Sequence, residues 1–316
     1  MMTATAHESH EGHKGHKAHK DFVGFVFLVI LVCAVGRCSA QAPAAPTFDG
    51  TRAFADLKAM VEMGPRPSGT PAIEKNRDYI RKELTAAGLK VEDQAWDAKT
   101  PRGVIHMVNL RATLPGAAQG RGRIVIGGHY DTKPMHEIKF VGASDGASSA
   151  AFLLEIARSL KGRINPLPIE LLFLDGEEAV VAWEGQDHTY GSRYYVEQLK
   201  KSGTVKDVRA FILVDMIGDT DLGISREQNS TGWLTDAIWS AARQLNRPEF
   251  LNASTPIEDD HLEFLAAGIP SVDIIDLNYS AWHTADDTLD RVSPKSLQAV
   301  GDVLLAALPA IETRLK

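Results

Sequence analysis

Cysteine is nearly absent from this 316-residue chain: Cys33 and Cys38 are the only two, and both lie in a segment that reads as a removable leader. A disulfide framework and a thiol nucleophile are therefore excluded from the rest of the protein. No G-x-S-x-G turn occurs, which removes the serine nucleophile carried on a strand-to-helix elbow. The glycine-rich run GRGRIVIGG, residues 120–128, lacks both the dinucleotide spacing and the lysine of a phosphate loop. Positive charge is in deficit, 34 Lys and Arg against 41 Asp and Glu for a net charge of -7, and no basic stripe alternates with aromatics. Nucleic acid is not an expected partner, whereas a cationic or neutral substrate is. No apolar run reaches the roughly 20 residues that a bilayer-spanning helix needs.

The longest apolar run, FVGFVFLVILVCAV from Phe22 to Val35, follows Lys14, Lys17 and Lys20 and precedes the small residues SAQA. That order predicts a signal peptide over residues 1–42, cut after Ala40 or Ala42, and hence a periplasmic or secreted protein. The alternatives are a retained membrane anchor and a lipid on Cys38, for which Arg37 is a poor neighbour. His7, His10, His13, His16 and His19 belong to this segment and read as compositional bias rather than a metal site, since nothing there fixes the rings. Imidazole chemistry must then come from His106, His129, His136, His188, His261 or His283.

Residues 43–50 read as a Pro/Ala linker and 51–316 as one domain, with no internal repeat. Helices are predicted over 51–63, 72–87, 146–162, 190–203, 231–246, 259–268 and 294–315. Between them lie the apolar, strand-like runs 103–114, 122–131, 168–175, 208–218 and 269–276. Continuous apolar strands alternating with amphipathic helices predict an α/β protein with a largely parallel sheet covered on both faces.

In such sheets the site lies beyond the carboxyl ends of the strands. There the sequence places His129 and Asp131, then Asp175, Glu177 and Glu178 in LLFLDGEEAVVAW, then Asp215. Asp145 opens a predicted helix, and His283 follows the last strand. Each has an ordinary explanation. Asp145 fits a helix N-cap, His129 a buried strand-end residue, Asp215 a turn former and His283 a packing partner of Trp282. Their recurrence at successive strand ends instead suits a divalent cation, Zn²⁺ in particular, which would also relieve the crowding of Asp175, Glu177 and Glu178. Adjacent side chains point in different directions, so one of Glu177 and Glu178 can bind metal while the other works as a general acid/base.

The ordered segments GGHYDT, GASDGASS, LDGEEA, LVDMIG and AWHTADDT resemble the zinc-dependent aminopeptidase superfamily. Within it, DGEEAVVAWEGQDHTYGSRYY and IEDDHLEFLAAGIP resemble the glutaminyl-peptide cyclotransferases, and the likeness runs from about Met63 to the C-terminus. The resemblance implies a three-layer α/β fold whose central sheet is mixed but mostly parallel. It implies one zinc on Asp145, Glu178 and His283, Glu177 as general acid/base, and Asp215 and Asp259 as an acidic pair hydrogen-bonded around it. Trp183 and Trp282 would wall the pocket. His129 matches a second-metal position of the di-zinc peptidases, and Asp273 stands where animal cyclases have a histidine. The activity implied is cyclisation of N-terminal glutaminyl residues of peptides or proteins to pyroglutamate. The rival is an exported aminopeptidase with two zincs, the second on His129 and Asp215 with Asp145 bridging. A silent binding domain of the same fold is disfavoured, because every ligand and the base are retained.

Overall fold

The computed structural model describes residues 46–118 and 120–316, so the expected leader and residues 43–45 of the linker lie outside the described residues. Two helices come first, α1 (Gly50–Glu62) and α2 (Pro71–Ala86). Asp49 caps α1 by accepting the Arg52 N–H at 3.0 Å, and Thr70 caps α2 with Pro71 in the first turn, where a missing N–H breaks no helical bond. Then follow β1 (Val91–Thr100), β2 (Gly103–Leu114), β3 (Arg123–His129), α3 (Ala147–Ser159), β4 (Ile169–Leu174), α4 (Tyr190–Ser202) and β5 (Val208–Asp215). The chain closes with β6 (Ile224–Glu227), α5 (Gly232–Gln244), β7 (Phe250–Thr255), α6 (His261–Ala266), β8 (Ser271–Ile275) and α7 (Pro294–Arg314).

The main sheet has the order β1-β2-β4-β3-β5-β8. β3 pairs parallel with β4 and β5, and β5 with β8, whereas β2 runs antiparallel to β1 and β4. The expected mixed, mostly parallel sheet is what forms. Side chains of its central strands divide strictly by parity. Ile124, Ile126, Leu171, Phe173, Ile212 and Val214 join the core that includes α1, α3 and α7. Val125, Leu172, Leu174, Phe211 and Leu213 join Tyr195 and Leu199 of α4 and Phe264 of α6 on the other face. Both faces are thus buried, which is why these strands read as unbroken apolar runs.

Three strands were not predicted. β1, VEDQAWDAKT, is a charged edge strand with little buried surface, so it carries almost no hydrophobic signal. β6 and β7 form a separate two-stranded parallel sheet and are only four and six residues long.

From β3 the chain reaches β4 through α3 on one face, then crosses back to β5 through α4 on the other. The strand order therefore reverses around β3, and a crevice opens at its carboxyl end. α3 comes close there: a Cβ on Gly128 would lie 2.7 Å from the Ser149 side chain.

Candidate active site

His129 ends β3, Asp215 ends β5, and Asp175, Gly176, Glu177 and Glu178 follow β4 in succession. Gly176 has φ 70°, the left-handed region that a glycine adopts freely, and a Cβ there would strike the Met107 sulfur at 2.7 Å. This turn sends its neighbours in different directions. Glu178 Oε1 lies 3.2 Å from His283 Nε2, while Glu177 Oε2 lies 3.8 Å from His129 Nδ1. Asp131 fixes the turn from below, accepting the Glu177 N–H at 3.3 Å and the Glu178 N–H at 3.4 Å.

Asp175 departs from expectation. It does not share a cation with the two glutamates but is buried in an ion pair with Arg77, and it also accepts from Ser68 Oγ at 2.6 Å and the Val108 N–H at 2.7 Å. An arginine, not a metal, offsets its charge.

Two triads of metal-ligand type form where the strand ends converge. Asp145, Glu178 and His283 bring ligand atoms within 4.8 Å of one another, and so do His129, Asp145 and Asp215. Asp145 belongs to both: Oδ1 is 3.2 Å from His129 Nε2, and Oδ2 is 3.4 Å from His283 Nε2. It is not the cap of α3. That position is Gly146, with no side-chain cap bond. Asp287 holds Asp145 in place, accepting the Ser144 N–H at 2.8 Å, the Asp145 N–H at 3.2 Å and the Tyr279 hydroxyl at 2.6 Å. The preceding loop is tied down by the buried Arg66, which donates to the carbonyls of Val141 at 2.7 Å and Gly142 at 3.2 Å. His283 itself adopts φ 53°, an uncommon left-handed conformation for a non-glycine residue.

The electrostatics fit a cation. Asp145 Oδ2 is buried and makes no hydrogen bond among the described residues, an unfavourable state for an acceptor-only group. Burial, and then the Asp145 charge, push Glu178 up from its ordinary value. Burial works against ionising Asp145, but His129 and His283 outweigh it and hold that carboxyl well below the usual range. Burial likewise opposes a charged His283, yet Asp145 and Glu178 raise it to about 9. One imidazole nitrogen and two carboxylates are a donor set of the kind divalent zinc accepts, so the residues present fit the ion.

Beside this triad is a cavity of about 370 Å³ whose walls include Glu177, Asp259, Ile257, Trp183 and Trp282. Trp183 stacks on His188 with ring centroids 4.3 Å apart, and Trp282 stacks on His283 at 4.5 Å. The Trp183 loop is anchored by Asp187, which accepts the N–H groups of Val180 (3.2 Å), Val181 (2.8 Å) and Ala182 (2.9 Å). Burial drives Glu177 well above its ordinary value, opposed by His129 and reinforced by Glu178, Asp259 and Asp215. Asp215 Oδ1 accepts from His129 Nε2 at 3.0 Å. Asp259 turns Oδ1 to the neighbouring Asp260 N–H, and its Oδ2 is buried without a hydrogen bond. Asp273 is wholly buried away from this wall, with Oδ2 3.6 Å from His261 Nδ1. Lys133 also lines the cavity, 3.3 Å from Glu178 Oε2; it directly follows the GGHYDT segment, but the sequence gave it no role of its own.

Residues 109–308 match the sequence profile of peptidase family M28. The chain is 30% identical over 275 residues to a bovine (Bos taurus) glutaminyl-peptide cyclotransferase-like protein, covering 77% of this chain and 71% of that one. A crystal structure of an Acidobacteriales bacterium glutaminyl cyclase superposes with a TM-score of 0.82 at 37% identity, over 87% of this chain and 99% of the other. The chain belongs to peptidase family M28, in its glutaminyl-peptide cyclotransferase branch. The M28 fold is shared with a Zn-dependent exopeptidase from Parabacteroides distasonis, TM-score 0.75 at 27% identity, over 84% of this chain and 99% of that one. The geometry brings most of the residues named from the sequence to one crevice. Asp145, Glu178, His283, His129, Asp215, Glu177, Asp259, Trp183 and Trp282 gather around it, while Asp175 and Asp273 stand apart.

Proposed function

We propose that the protein is a zinc-dependent glutaminyl-peptide cyclotransferase, converting N-terminal glutaminyl residues of peptides and proteins to pyroglutamate with release of ammonia. The observation that carries this reading is the buried Glu177 carboxyl in a small cavity walled by Trp183 and Trp282, beside the Asp145, Glu178 and His283 triad. The leader read from the sequence puts this activity in the periplasm or outside the cell, and N-terminal sequencing of the mature protein tests that. No helix among the described residues is long and apolar enough to cross a membrane.

One zinc would be held by Asp145, Glu178 and His283; when bound, it supplies Lewis-acid polarisation of the substrate's γ-carboxamide. The rest is done by the chain. The Trp walls hold the glutaminyl side chain folded back so that the α-amine meets its own amide carbon, which makes the reaction intramolecular. Glu177 accepts a proton from that amine as the new C–N bond forms, then delivers it to the amide nitrogen as the old C–N bond breaks and ammonia departs. Its raised pKa, set mainly by burial, favours this two-way traffic. Asp259 and Asp215 add negative charge around Glu177, which keeps its proton affinity high. They also complement a cationic amine on entry.

His129 stands among three carboxylates. Nε2 faces Asp145 at 3.2 Å and Asp215 at 3.0 Å, while Nδ1 faces Asp131 at 3.5 Å. Burial opposes its charge, but Asp215 and Glu177 hold its pKa well above the ordinary value, as Asp145 and Glu178 do for the proposed ligand His283. The second reading, a di-zinc aminopeptidase, is favoured by the compactness of the His129, Asp145 and Asp215 triad. There His129 and Asp215 would hold the second ion and Glu177 would activate water. Mass spectrometry of a Gln-initiated peptide separates the two: an intact peptide lighter by one ammonia supports cyclisation, and a peptide shortened by one residue overturns it.

A further inference from the structure

Glu227 lies at the end of β6, outside the cavity, and is almost fully buried. Its carboxylate collects an unusual number of donors. Oε1 accepts from the Asn229 N–H at 2.9 Å, Asn229 Nδ2 at 2.9 Å and the Ile257 N–H at 3.3 Å. Oε2 accepts from the Ser230 N–H at 2.6 Å, Ser230 Oγ at 2.8 Å and His261 Nε2 at 3.1 Å. Ile257 and His261 stand two residues before and two residues after Asp259. One carboxylate therefore grips both shoulders of the turn that brings Asp259 to the cavity wall.

The turn needs a restraint. Asp259 and Asp260 are adjacent, both are buried, and each keeps one carboxyl oxygen without a hydrogen bond among the described residues. Repulsion and desolvation both favour swinging such a pair out to water. His261, with no exposed surface, follows this pair directly, and Ser230 Oγ accepts the Asp273 N–H at 3.1 Å, tying the same knot to β8 of the main sheet. Burial would raise the Glu227 pKa, but His261 and the Asn229 N–H outweigh it and bring it to about 2, so the anion persists at any working pH.

We propose that Glu227 is a positioning residue of the reaction, acting through His261 and the Ile257 N–H to aim the Asp259 carboxyl into the cavity. This rests on the reading of Asp259 as part of the reacting site. A double-mutant cycle tests it: wild type, Glu227→Gln, Asp259→Asn and the double variant, each assayed for kcat, KM, zinc content and thermal midpoint with a Gln-initiated peptide. Misaiming a catalytic group by about 1 Å can lower a rate up to ~10²-fold, so Glu227→Gln is expected to lose roughly tenfold in kcat with KM and zinc content within about twofold. In the Asp259→Asn background the same change is expected to cost nothing further, because residues acting as one unit are not additive. Equal losses in both backgrounds would overturn the proposal. If Glu227→Gln does not fold, His261→Gln, which removes one arm of the grip, is put through the same cycle with the same expectation. If the wild type releases no ammonia, the cyclase reading fails by itself, and crystal structures of wild type and variant decide this inference. A displaced 257–261 turn over an unchanged main sheet supports it, and an unmoved Asp259 carboxyl overturns it.

Discussion

Asp287 and Asp145 stand back to back: the Asp287 carboxylate takes the Ser144 and Asp145 backbone N–H groups, and this frees the Asp145 carboxylate to face His129 and His283. Partners behind a metal ligand typically contribute about 10–100-fold to affinity. Asp287→Ala is therefore expected to weaken zinc binding by that order while leaving all three ligands in the sequence. Competition against a chromogenic chelator measures it, and wild-type affinity in the variant would contradict the assignment.

Glu177 is buried in the cavity wall without belonging to either ligand triad. Glu177→Gln keeps size and shape but removes proton transfer, whose contribution is about 10²–10⁴-fold. The variant should retain zinc, measured by elemental analysis, and lose ammonia release by that factor.

Trp183 is half-buried, stacked on His188, and belongs to neither ligand triad. Trp183→Ala should raise KM for a Gln-initiated peptide by roughly tenfold, the order expected on losing one aromatic wall. Zinc content should not change. Loss of metal would mean that the ring supports the triad rather than the substrate.

Zinc removal should destabilise the fold. An ion that binds only the folded chain adds about 2.7 kcal/mol at a hundred times its Kd. Chelation is expected to lower the thermal midpoint, and one equivalent of zinc to restore it. A requirement for two equivalents would favour the di-zinc reading.

Glu170, on β4, is buried between Arg111 at 2.7 Å and Arg123 at 2.6 Å. Burial raises its pKa, but the two arginines and the Tyr195 hydroxyl outweigh it, so the folded value lies below the ordinary one. Its stabilising effect is complete above about pH 4.3, the unfolded value, and fades as pH falls through the lower folded value. Glu170→Gln should lose about 1.5–3 kcal/mol at pH 7, with the gap to wild type closing in stronger acid. Urea midpoints at several pH values follow it.

The sheet was legible because its central strands are buried on both faces and so write themselves as apolar runs. The candidate site was legible because ligand-type residues stand immediately after those runs. β1 was not, since its edge position lets it carry charge, nor was β6, too short for a period to show. Asp175 was misread for a physical reason: sequence shows three carboxylates in four residues but not Arg77, which reaches one of them from a helix nearly a hundred positions earlier. Glu227 and Asp287 were missed because half or more of their contacts are with backbone N–H groups and the rest with side chains such as His261 and Tyr279 that only the fold brings to them.

That Arg77 contact also governs how the chain can be shortened. The family profile begins at residue 109, after α2, so a fragment trimmed to the matched portion would keep Asp175 and discard its buried counter-charge Arg77, together with Ser68. An anion stranded beneath the glutamate turn would drag that turn toward solvent. The second helix is thus no dispensable prelude to the enzyme but the source of the counter-charge beside its glutamate turn.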